Sequence, residues 1–494
     1  MKLLIHIVIV LMGIFLIPRQ VLGATPSNYY IDSVSGSDTN LGTSTQNPWK
    51  TLTRIQSQTL IPGDIVNLKN GSNWNQTLTI NNSGNPDQPI TFTTYGSGPK
   101  PVIRNSSNAD TWARTLLIYA DWIIIDGLII SDTSESAIYI DKTSDHNIIR
   151  NCEIKNAGIG IAVYGQYNLV TNNNVHDLHM IVNTQGGDDD YGAVGIWLFN
   201  SNNEVSYNTI KNCQGPSYDY NNDGGAIEFY GSVNNSYVHH NWAQNNEGFL
   251  EIGGSDSTGR DSKDNLVTYN VLTDNKRALH FNLGTYQYAV NVSNFRFENN
   301  TIVESVPKWE TAINFIQGEL TGNQLILRNN IFSGFYRLAR RLDNGEETLK
   351  SNFTHEYNLY YGIGKSFTLG SGEILVDPLF VNLANKDLKL QAQSPAIDKG
   401  TNLGYSIDFN NNQVPLGTAP DMGAYEYQTQ TSTLTPTKTP TTTPSSCEPF
   451  RYFGQPQCQY FIQRLGKTNG SCQLNQDLST VIPGTNFWKY QYCY

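Results

Sequence analysis

A short pattern, recurring at irregular intervals, restricts what this chain can fold into. It reads apolar, any residue, polar, then Asn or a small residue, and occurs as IIDG, IRNC, VTNN, VSYN, VHHN, VTYN, FENN and LRNN. The fourth positions are Gly127, Cys152, Asn173, Asn208, Asn241, Asn270, Asn300 and Asn330, spaced by 25, 21, 35, 33, 29, 30 and 30 residues. A fixed motif with a variable period predicts a β-solenoid, in which each coil is one unit and insertions leave as loops. The Asn column predicts a ladder of stacked amides that bond up and down the stack, a structural device carrying no chemistry.

The segments DYNNDGGAIEFYG, EGFLEIGG and KRALHFNLG lie within these repeats. Aligned by period-two alternation, they put Ile227, Leu250 and Leu279 on one face and Glu228, Glu251 and His280 on the other. Stacked as successive coils, the two carboxylates and the imidazole would be neighbours about 4.8 Å apart. The full outward file is expected to run Tyr139, Ala162, Trp197, Glu228, Glu251, His280, Asn314. Ordinarily about ten residues separate the motif's fourth position from the outward residue of the next strand. That gap is 24 from Asn173 to Trp197 and 20 from Asn208 to Glu228, and GSDSTGRDSKD follows Glu251. Three insertions beside the same coils predict a walled groove.

Like charges directly opposite in a strand pair are unfavourable, so Glu on Glu calls for a compensating proton, metal or cation. Three chemistries could use such a wall. In a retaining glycosidase, carboxyls roughly 5 to 5.5 Å apart act as nucleophile and acid/base, with one pKa raised by the other. The candidates are Glu228 and Glu251 with Asp223 and His280 assisting, and Trp197, Tyr230, Asn314, Arg260 and Lys263 binding substrate. In a Ca²⁺-assisted polysaccharide lyase or epimerase, a metal acidifies the proton beside a uronate and a basic residue removes it. His280, Arg260, Lys263, Lys276 and Arg277 are then the bases. Asp219, Asn221 and Asp223 open like a calcium loop, making Ca²⁺ the one cofactor suggested, although Tyr230 stands where an EF-hand has its bidentate Glu. Asp188, Asp189 and Asp190 are a second acidic contribution to the groove or a solvated loop tip. The third reading is a non-catalytic glycan-binding surface.

The chain opens with Lys2, an apolar run from Leu3 to Ile17 and small residues at Val21 and Gly23. This predicts a signal peptide over 1–23 and a secreted or cell-surface protein, because the run is too short for a membrane span. A net charge of −11 and 15% charged residues, against roughly 25% in an ordinary domain, argue against nucleic acid and anionic membranes and favour an uncharged or metal-bridged glycan. A monomer with a polysaccharide partner is expected. Residues 428–446, QTQTSTLTPTKTPTTTPSS, read as a semi-rigid linker. Beyond it, Cys447, Cys458, Cys472 and Cys493 predict two disulfides in a small aromatic-rich domain over 447–494, either carbohydrate-binding or using its aromatics as core. Cys152 and Cys213 read as buried small residues.

Near the start, YYIDS, GSD, GT, PWKTL and PGD follow one another through residues 29–64, with Trp49, Leu52 and Ile55 at helical spacing. Residues 377–427 contain DPLFVN, DLKLQAQSPAIDKG, DFNNNQVP and APDMGAYEY. The two segments resemble the entry and closing segments of secreted right-handed parallel β-helix proteins of the pectate-lyase-like superfamily. The resemblance implies an all-β solenoid over 24–427, a helix capping its first coil, and a closing segment that completes its last. In that segment Asp398, Asp408 and Asp421 read as turn and capping residues. The superfamily includes lyases, hydrolases, epimerases and binding proteins, so the fold alone leaves the reaction open.

Overall fold

The computed structural model describes residues 25–106, 112–253, 260–284, 289–305, 310–341, 352–364 and 367–428, and three short strands near the C-terminus. The expected signal peptide, the linker and most of the C-terminal domain lie outside the described residues. Among those described there is one α-helix, Leu52–Gln56, and none long and apolar enough to cross a membrane.

Most strands are wound into three parallel sheets that successive coils visit in turn. One coil illustrates the unit, passing through Ile123–Asp126, Ile129–Ser131 and Ser136–Ile140. The first sheet has twelve strands from Asn28–Ile31 to Phe353–Glu356. The second also has twelve, from Asn73–Asn75 to Ile374–Leu375, and the third ten, from Leu78–Ile80 to Arg337–Arg341. The inward column of the third sheet is Ile138, Ile161, Ile196, Ile227, Leu250, Leu279 and Ile313, none more than 1% exposed. Each such residue adds about 1.5–3 kcal/mol of burial free energy, and identical placement in every coil makes the core continuous.

The Asn motif forms the corner between the first and second sheets. The residue before each ladder Asn takes a left-handed conformation, with φ of 54° at Tyr207, 54° at His240 and 50° at Tyr269, which turns the chain sharply. The Asn that follows bridges coils. Asn208 Nδ2 donates to Asn241 Oδ1 at 3.0 Å, Asn241 to Asn270 at 3.0 Å and Asn270 to Asn300 at 3.0 Å, and each Oδ1 also accepts the preceding rung's backbone N–H. The ladder ends where Asn358 Nδ2 donates to buried Glu373 at 2.7 Å. Shorter Asn stacks hold the other corners, as in Asn246 to Asn275 at 2.7 Å.

The closing segment differs from expectation. Leu359–Tyr361 pairs with Ile374–Leu375, after which the chain folds back over the outside of earlier coils. Phe380, Leu388, Leu390, Met422 and Ala424 cover outward-facing Val271, Val303, Ile331 and Leu359, while Tyr405 and Val414 cover Tyr237, Leu266 and Tyr269. Those outward apolar residues need cover, and this segment provides it. Its acids do form turns: Asp408 accepts from the backbone of Asn410, Asn412 and Glu426, and Asp421 from Asp398 and Tyr427. The C-terminal strands Cys447–Phe450, Ser471–Leu474 and Tyr490–Cys493 form an antiparallel sheet.

Candidate active site

The outward face of the third sheet carries the expected file in the expected register. Tyr139 pairs with Ala162, Ala162 with Trp197, Trp197 with Glu228, Glu228 with Glu251, Glu251 with His280 and His280 with Asn314. One further member, Arg340, pairs with Asn314. The two glutamates therefore sit on strands one rung apart, about 4.8 Å along the stack.

The insertions before Trp197 and Glu228 are antiparallel hairpins. Met180–Val182 pairs with Tyr191–Gly192, and Gly215–Ser217 with Asn221–Asp223. This corrects the calcium-loop reading of Asp219, Asn221 and Asp223: Asn221 and Asp223 belong to a strand, and Asp219 lies in the turn joining it to its partner. Asp219 groups instead with Asp189 and Asp190, with one oxygen of each within 4.8 Å of the others. These carboxylates already tie the hairpins together. Asp190 accepts from Thr184 N, Ser217 Oγ, Tyr218 N and Asp219 N, and Asp219 Oδ2 from the backbone of Asp189 and Asp190.

Gly224 then returns the chain to the sheet. Its φ is +115°, and a Cβ there would meet the Ala193 carbonyl oxygen at 2.8 Å, so only glycine fits. The turn leaves Asp223 at the head of the strand that carries Glu228. Burial pushes the Asp223 carboxyl up to about 7, and the charges of Glu251 and then Glu247 add to the rise. Glu228 is raised well above the usual carboxylate range, by burial first, then Glu251, then Asp223, with Trp197 and Arg260 opposing. Glu251 is also raised by burial, but here the Arg277 guanidinium pulls the other way. Each acid thus has neighbours of both signs: Glu251 and Asp223 against Arg260 around Glu228, and Glu247 against Arg277 around Glu251.

Beside Glu228 the floor is aromatic. The Trp197 ring lies 4.9 Å from Tyr230 and 4.6 Å from Phe199, both edge-on. Tyr230 is held by Arg260, whose Nη1 donates to the Tyr230 and Gly253 carbonyls and whose guanidinium lies 5.2 Å over the Tyr230 ring. Arg260, expected at substrate, is 7% exposed and supports Tyr230 from within. Lys263, also expected at substrate, is on a separate two-stranded sheet and pairs with Asp261 at 2.9 Å. Beyond Glu251 the character changes. His280 is buried next to Arg277, which Glu247 grips at 2.6 Å.

Glu247 and Arg340 are the residues that sequence reasoning missed. Glu247 precedes its strand and so falls outside the alternation that exposed Glu251. Arg340 lies past the last motif, although extending the file by one more coil would have found it.

A family model for the right-handed β-helix region matches residues 102–259. Over 95 residues the chain is 44% identical to a lacto-N-biosidase of Bifidobacterium longum subsp. longum, covering 18% of this chain and 6% of that protein. The chain spans less than a third of the length of the curated relatives it matches. Among solved structures, pectate lyase Pel9A superposes with a TM-score of 0.54 at 17% identity, over 82% of this chain and 98% of that one. A complex of XylC with xylose superposes with a TM-score of 0.51 at 12% identity, over 80% and 98%. Likeness at these identities is likeness of fold, and the fold of this chain is the right-handed parallel β-helix.

Proposed function

We propose that the chain is a carbohydrate-active enzyme that hydrolyses a glycosidic bond in a polysaccharide, with Glu228 and Glu251 as its carboxylate pair. The observation that carries this reading is the direct pairing of Glu228 with Glu251 on the open face of the third sheet. One-rung spacing suits a retaining mechanism, whose carboxyls stand about 5–5.5 Å apart. Glu228, raised by burial and by the charges of Glu251 and Asp223, keeps its proton and gives it to the departing glycosidic oxygen. Glu251, favoured as an anion by Arg277, attacks the anomeric carbon and forms a glycosyl ester. Glu228, now ionised, takes a proton from water as that water breaks the ester, and both carboxyls return to their starting states. Trp197 offers a ring face for a sugar, and Asn314 a hydrogen-bonding amide.

Metal-assisted elimination is the second reading, drawing on the Asp189, Asp190 and Asp219 group. Its natural base, His280, is pushed down to about 3 by burial, Arg277 and Arg340, and a group so weakly basic removes a carbon-bound proton poorly. Digestion of a glycan panel separates the readings: hydrolysis gives a new reducing end, elimination an ultraviolet-absorbing double bond lost with chelator, and a binding face gives no product.

Around this core, residues 1–23 are proposed to direct export. The Leu52–Gln56 helix, with Leu52 and Ile55 buried, is proposed to cover the first coil. The 447–494 unit is proposed as a disulfide-stapled accessory domain.

A further inference from the structure

Arg277 stands just before the strand Leu279–Asn282 and is held at several points. Its Nε donates to the Glu247 carbonyl at 3.0 Å and its Nη2 to Glu247 Oε1 at 2.6 Å, while Lys276 pairs with the other Glu247 oxygen. The free edge of this clamped group faces His280, with Nη1 at 3.2 Å from Nδ1. A guanidinium carries only donors and does not deprotonate in proteins. The contact is therefore favourable in one state alone, with an unprotonated Nδ1 offering its lone pair. A proton on Nδ1 would set N–H against N–H.

Of the other groups around the ring, the second cation acts in the same direction and the carboxylates oppose it. Glu251 is on the rung before and Asn314 on the rung after. Arg340, next in the file, adds a second cation, while Glu247 favours the charged ring but already pairs with Lys276 and Arg277. His280 is 9% exposed.

We propose that Arg277, clamped by Glu247, is a positioning residue that locks His280 as a neutral imidazole with its proton on Nε2. The ring then serves the cleft as a fixed hydrogen-bond donor to a sugar hydroxyl beside Glu251 and takes no part in proton transfer. This rests on the glycan-cleaving reading for its purpose, but its chemistry can be read without any substrate.

Histidine-selective ¹⁵N labelling of the full chain, with His280 assigned by the signals lost in His280→Gln, reports both ring nitrogens. The expected spectrum has Nδ1 unprotonated and Nε2 protonated, unchanged from about pH 5 to about pH 8. A proton on Nδ1, a tautomer mixture or a titration within that range overturns the proposal. Arg277→Met is expected to raise the His280 pKa and lower kcat at least about tenfold with KM less affected, adding an acid limb to the rate profile. Arg277→Lys keeps a donor and is expected to restore the Nε2–H form. A silent Arg277→Met spectrum also overturns it, and if that variant fails to fold, the wild-type and Arg277→Lys spectra decide. A locked ring in a protein that cleaves no glycan supports the lock and removes the hydrolase reading.

Discussion

Glu228 and Glu251 face each other across one rung of parallel pairing, fixed on either side by Ile227 against Leu250 and Phe229 against Ile252. Those four flanking side chains are no more than 1% exposed, so a one-residue slip would drive both carboxylates into the core. The solenoid thus holds two acids together with burial energy that neither acid supplies. An arrangement that is unfavourable locally is stabilised by its surroundings, as in sites that keep one acid protonated.

Glu228→Gln and Glu251→Gln are each expected to lower the cleavage rate by about 10²–10⁴-fold, the range for losing an acid/base or nucleophilic carboxyl. Neither should lower the melting temperature, because Gln is a neutral isostere of the protonated acid and each change removes one ionisable group from a buried acid pair. Initial rates and thermal melts on the same preparations check both halves.

The rate should fall with rising pH as Glu228 loses the proton it donates, at a pH well above the ordinary carboxylate range. Asp223→Asn removes a negative charge beside Glu228, makes its ionised form easier to reach and so moves the alkaline limb to lower pH. A kcat/KM profile whose limb stays in place or moves upward contradicts this electrostatic picture.

Asn241→Ala removes the oxygen that accepts both Asn208 N and Asn208 Nδ2 at 3.0 Å. It also removes the amide that donates to Val205 O at 2.9 Å. Buried groups without partners cost about 1–3 kcal/mol each, so denaturant unfolding should show a loss of at least about 2 kcal/mol. A loss below about 0.5 kcal/mol, the level of an ordinary surface change, would mean that the ladder contributes little.

Burial raises the Asp421 carboxyl to about 6 and that of Glu426 to about 7 in the closing segment. Between the ordinary carboxylate range near ~4 and these values the folded chain binds more protons than the unfolded one, so this contribution to stability falls as pH rises. His280 acts oppositely, as a single group, by opposing folding below its ordinary value. Melting temperature should be higher near about pH 5 than near about pH 8, and Glu426→Gln should narrow the difference.

The sequence made the file from Tyr139 to Asn314 legible because strand alternation and the motif's fourth position together set the register. The same rule overlooked Glu247, since a residue in the turn before a strand obeys no alternation. The hairpin at 215–223 was hidden by composition: Asp, Asn and Gly are what both a calcium loop and a tight turn require. Arg260 looked available because a charge on a loop reads as exposed, and only the fold shows Tyr230 and Gly253 carbonyls waiting for it. The return of the closing segment was signalled by Val271, Ile331 and Leu359, apolar residues each just after a ladder Asn, but nothing local says which segment covers them.

Digestion of a glycan panel by the wild type and by Glu228→Gln tests the central claim most directly. The account predicts a new reducing end without ultraviolet absorbance from the wild type, and at least about a hundredfold less of it from the variant. An unsaturated product, or equal product from both proteins, would contradict it.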